Sequence, residues 1–100
     1  MIVDVQVEIQ NQADEMEADC ARISTLETIL NDIADEYLNA CDRFPNFKSP
    51  HEGVAIIEEE FLEFKEATFW PHKHLGTSTD EEVRQLAAMC IRYLMDITYI

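Results

Sequence analysis

The sequence predicts an all-α protein, a helical bundle of three main helices completed by oligomerisation. Three observations lead there. Only two glycines and three prolines occur in 100 residues, too little turn material for a β-sandwich or barrel. Apolar residues recur in steps of three and four along most of the chain. Ser49 and Ser78, each following a loop-like stretch, have a glutamate three residues later, the spacing of a helix N-terminal capping box.

The first element is a long N-terminal helix running roughly from Asn11 to Phe44. Ile23, Leu26, Leu30, Ile33, Tyr37, Ala40 and Phe44 form one apolar seam along it. Ile2, Val5, Ile9 and Met16 extend the register upstream, with Gln12 and Asp19 interrupting it. The alternation of Val3, Val5, Val7 and Ile9 also fits a strand, but such a strand has nothing to pair with except another subunit. Helix is therefore predicted, residues 1–20 forming an extension or arm of a single 1–100 domain. A helix of that length exceeds a compact bundle and is expected to pack against a partner copy.

Pro45 ends it, and "PNFKSP" is a short connection. The second helix begins with Ser49 as N-cap, Pro50 at the first helical position and Glu52 completing the box. Val54, Ile57, Phe61 and Phe64 are its expected buried stripe, and Trp70-Pro71 closes it. After "HKHLGTST", either Ser78 with Glu81 or Thr79 with Glu82 caps a third helix, whose expected buried line is Val83, Leu86, Cys90, Leu94 and Ile97.

Composition narrows the function. Twenty-one acidic residues against seven basic give a formal charge of −14, which excludes phosphate-based nucleic-acid binding through a basic patch. The charge suits a divalent-cation site or a surface attractive to a basic partner. Cys20, Cys41 and Cys90 form no CxxC pair and read as reduced core thiols of a cytoplasmic protein. No segment approaches eighteen apolar residues, so no membrane span is expected.

The second helix concentrates the chemistry: His51–Ala67 holds six glutamates. Glu52, Glu63 and Glu66 fall within roughly 40° of Glu59 on the helical wheel, and Glu60 about 100° away. A solvated acidic face explains much of this. Yet Glu59 and Glu63, one turn apart, repel each other with only Lys65 nearby. Hard divalent ions need several oxygen ligands at once, and carboxylates one turn apart supply them.

"EEFLE", Glu59–Glu63, fits an EExxE signature, and the chain resembles the MazG-like all-α nucleoside triphosphate pyrophosphohydrolases, most closely their short bacteriophage-type members. The resemblance covers Arg43 to Asp96, through "RFPNFKSPHEGVAIIEEEFLEFKEA" and, more weakly, "DEEVRQLAAMCIRYLMD". It implies a homo-oligomer, dimer or tetramer, that cleaves nucleoside triphosphates to monophosphate and pyrophosphate with Mg²⁺ or Mn²⁺. By the same resemblance Glu59, Glu60, Glu63 and Glu82 hold the metal, and Glu60 or Glu63 orients or deprotonates a water. Lys48, Lys73 and Arg92 are candidates for the phosphates and Trp70 for stacking on the nucleotide base. Arg92 has a plainer reading as an i, i+4 ion pair with Asp96, worth a few tenths of a kcal/mol. The family's second motif, ExxD, here reads Glu82-Val-Arg-Gln85 and ends on an uncharged amide. That departure keeps a rival in view, a non-catalytic acidic helical protein that occupies a basic partner.

Overall fold

The structure is a computed structural model that describes residues 2–72 and 78–99, with side chains described from residue 9 onward. Three helices account for almost all of it, and no strand occurs among the described residues. Helix α1 spans Ile2–Arg43, α2 spans Pro50–Phe69 and α3 spans Thr79–Tyr93, continued by one π-helical segment, Leu94–Thr98. The all-α expectation holds, and the Val3–Ile9 alternation lies within α1.

Contacts within the chain group it into two units, Met1–Asn31 and Asp32–Ile100, so the division falls near residue 31. The first unit is the N-terminal part of α1. Its seam residues are exposed: Ile9, Met16, Ile23, Leu26 and Leu30.

The second unit contains the last turns of α1 and the α2–α3 pair. Helix α2 starts as its sequence requires. The Ser49 Oγ accepts from the Glu52 N–H at 3.1 Å, Pro50 needs no donor, and the Glu52 carboxylate accepts from the Lys48 N–H at 3.2 Å. Its end at Phe69, with Trp70 as C-cap, also falls at the expected place. For α3 the structure selects Ser78 as N-cap, its Oγ accepting from the Glu81 N–H at 3.2 Å.

The buried faces are not those the apolar periodicity marked. On α2, Gly53 and Ala67 are buried and Glu60 half-buried, seven residues apart and on one side, whereas Val54 is 58% and Phe61 49% exposed. Ile57 and Phe64 lie between these faces, half-buried. On α3 the buried residues are Glu82, Ala88 and Arg92; of the expected line, which runs on into the π-helical segment, Leu86 and Ile97 are half-buried and Val83, Cys90 and Leu94 are exposed. Both expected stripes are corrected in part, for one reason: small residues let helices approach, and the pair closed along its Gly/Ala side. A Cβ on Gly53 would stand 2.5 Å from Cδ2 of Tyr93, so only glycine permits this approach. The cysteines are corrected too: Cys20 and Cys90 are exposed and Cys41 half-buried, none in a disulfide.

A polar clasp supplements the small apolar core. The guanidinium of Arg92, 1% exposed, donates to the backbone carbonyls of Ala40 (3.0 Å), Phe44 (2.6 Å) and Pro45 (2.7 Å). They lie at and just beyond the C-terminus of α1, where helix carbonyls run out of intrahelical donors, and the Ala40 carbonyl also accepts from the Phe44 N–H at 2.9 Å. Asp96 accepts from both Arg92 Nε (3.3 Å) and the Phe47 N–H (2.9 Å), and the Phe47 ring lies 5.3 Å from the guanidinium carbon. Among the described residues the buried apolar ones are Ala40, Phe47, Ala67 and Ala88. One polar knot thus ties α1, the connection and α3 where hydrophobic burial is thin.

Candidate metal centre and adjoining cavity

Glu60, Glu63 and Glu82 bring carboxylate oxygens within 4.8 Å of one another. Two come from successive turns of α2 and the third from the first turn of α3. Glu60 sits on the Gly53–Ala67 side, so helix pairing aims its carboxyl at α3. Glu82 meets it from the opposite helix and is only 2% exposed. Glu63 closes the group at the solvent edge.

The electrostatics follow from this crowding. Burial, then the neighbouring carboxylates of Glu63, Glu82, Glu59 and Glu36, raise the Glu60 pKa from 4.5 to about 7. Its Oε2 is shielded from solvent and has no hydrogen-bond partner among the described residues. A shielded acceptor facing two more carboxylates fits a hard divalent cation, which takes oxygen ligands and neutralises like charges together. The three carboxylates could therefore hold a divalent cation.

Beside the cluster lies a cavity of about 420 Å³, open to solvent, within the second unit. Glu59 and Glu60 form part of its wall. Phe44, Ile56 and Met89 supply apolar surface, and Asn39, Arg43 and Gln85 supply polar groups.

The structure brings together three of the four expected metal residues and sets Glu59 on the cavity wall beside them. Gln85, one turn beyond Glu82, also faces the cavity. Lys48 is exposed and lies outside the cavity lining, with its backbone N–H bound to Glu52. Trp70 is 45% exposed at the end of α2, edge-on to Phe69 at 6.0 Å, and also outside the lining. Lys73 lies outside the described residues. Arg92 borders the cavity, but its donors are engaged by carbonyls and Asp96, so its placement is that of a clasp and lends no support to a substrate contact.

Glu36, Asn39 and Arg43 were missed as site residues. They sit on the last turns of α1, flanking the seam positions Ile33, Tyr37 and Ala40. Their nearness to that seam was the available signal, since a polar residue beside a buried stripe lines whatever gap the packing leaves. Comparison with family models, with curated proteins and with solved structures finds no match to this chain.

Proposed function

We propose that the protein is a Mg²⁺- or Mn²⁺-dependent nucleotide pyrophosphohydrolase, cleaving a nucleoside triphosphate to monophosphate and pyrophosphate. The observation that carries the reading is the meeting of Glu60, Glu63 and Glu82 from two helices at the edge of a ligand-sized cavity. The resemblance of Glu59–Glu63 and the following helix to MazG-like enzymes supplies the reaction class.

Glu60, Glu63 and Glu82 would hold the ion, with Glu59 next to them on the cavity side. A bound ion supplies charge neutralisation on the phosphate oxygens and orientation of the reacting groups. The protein's own contributions are distinct. Of the carboxylates beside the ion, Glu60 or Glu63 would accept a proton from an attacking water and the other would orient it. Phe44, Ile56 and Met89 offer apolar faces to a base, and Asn39 and Gln85 offer amides to its edge. The strongly acidic surface repels a free triphosphate, so activity is expected only with the divalent ion present.

The exposed apolar residues of α2 and α3, Val54, Phe61, Val83 and Leu94, belong in this reading to contacts with further copies of the chain. Pyrophosphate release from a panel of ribo- and deoxyribonucleoside triphosphates with Mg²⁺ tests the proposal. Release by the native chain and at least a hundredfold less by Glu60→Gln is expected; no release from any nucleotide would sink it.

Gln85 favours a second reading, an acidic helical protein that binds a basic partner without catalysis. The two separate on Gln85→Asp. A gain in pyrophosphate release marks a weakened enzyme, whereas an inert variant that still binds a cationic partner marks the second reading.

A further inference from the structure

The seam of α1 between residues 9 and 30 has no part in the metal site. Ile9, Met16, Ile23, Leu26 and Leu30 are 61, 68, 56, 52 and 50% exposed. With Gln12 and Asp19 they step by three and four along one face, the a and d positions of a heptad. Such spacing suits another helix that repeats at the same period, since knobs at these positions need matching holes. Glu15, Arg22 and Ile29 flank the seam on one side, and Ala13, Cys20 and Glu27 on the other.

We propose that this face pairs antiparallel with the same face of a second copy, in one register. Ile9 then stands opposite the partner's Leu26, Gln12 opposite the partner's Ile23, and Met16 opposite the partner's Asp19. Charge selects this arrangement. A parallel, in-register pair sets Asp19 against the partner's Asp19, two carboxylates crowded into one apolar layer, with only Arg22 beside the partner's Glu27 to compensate. An antiparallel pair shifted by one heptad sets Arg22 against the partner's Arg22. The chosen register sets Glu15 beside the partner's Arg22 twice, by symmetry, and brings no like charges together along the flanks. Asp19 then lies near an unbranched methionine at the rim, where its carboxylate stays hydrated.

Sedimentation equilibrium of the full chain in EDTA tests the pairing without involving the metal site, so its outcome is independent of the enzymatic reading. Arg22→Glu, exposed in the single chain, places two glutamates opposite two glutamates and is expected to weaken self-association roughly tenfold at low salt. The swap Glu15→Arg with Arg22→Glu is expected to restore it. These two sites are seven residues apart on one helix, so recovery reports contact between copies. An unchanged association constant in Arg22→Glu, a monomeric native chain, or rescue by Glu27→Arg in place of Glu15→Arg would each overturn the proposal, the last by showing parallel pairing.

Discussion

Replacing Arg92 by alanine removes the side-chain donors to the Phe44 and Pro45 carbonyls and the cation beside Asp96, leaving Ala40 O and Asp96 only their backbone donors, Phe44 N–H and Phe47 N–H. Breaking a buried charge cluster from one side costs about 3–5 kcal/mol, well above the few tenths an exposed i, i+4 pair contributes. Arg92→Lys should recover little, since an ammonium cannot reproduce the planar fork that serves several acceptors at once. Urea denaturation of both variants measures this, and a loss below about 1 kcal/mol in Arg92→Ala would contradict the clasp. Glu60 acts oppositely. Its pKa rises from 4.5 to about 7 on folding, so the folded chain binds the extra proton more tightly. The stability tied to that proton is fully present below pH 4.5 and is lost as pH rises through about 7. Without divalent ions, thermal midpoints should therefore fall across that window, and Glu60→Gln, which cannot ionise, should flatten the fall.

At the level of the helices, what sequence shows best is local. The Ser49–Pro50–Glu52 start and the Trp70 stop of α2 were legible because each is a contest between neighbouring residues and one helix end. Which face of a helix is buried was not, because that depends on what the other helix offers. Periodicity marks Val54 and Phe61, but Gly53 and Ala67 allow α3 closer, and the pairing followed closeness. The π-helical segment at Leu94–Thr98, where Tyr99 N–H reaches the Leu94 carbonyl at 2.8 Å, left no trace in the apolar pattern. Gly53→Ala is the direct check on the pairing. Alanine gains about 1 kcal/mol of helix propensity over glycine, yet the added Cβ collides with the Tyr93 ring. A net destabilisation of about 1–3 kcal/mol is expected from overpacking, read by denaturation, whereas a stabilised variant would mean that the two helices do not approach this closely.

For the whole molecule, the candidate site divides in the same way. Glu60 and Glu63 were legible as an i, i+3 pair on one helix, and Glu82 through the motif on the next. Glu36, Asn39 and Arg43 were not, because they enter from a third helix through tertiary packing alone. Among the described residues four apolar ones are buried, a small share for a domain of this size, while large apolar side chains stand exposed on each of the three helices.

The central claim, that Glu60, Glu63 and Glu82 form a divalent-cation site, is tested most directly by calorimetric titration with Mn²⁺. The native chain should bind one ion per cluster. Glu60→Gln, which removes a crowded charge and so keeps its fold, should lose that binding by tenfold or more. Equal binding in the two proteins, or no saturable binding in the native chain, would contradict it.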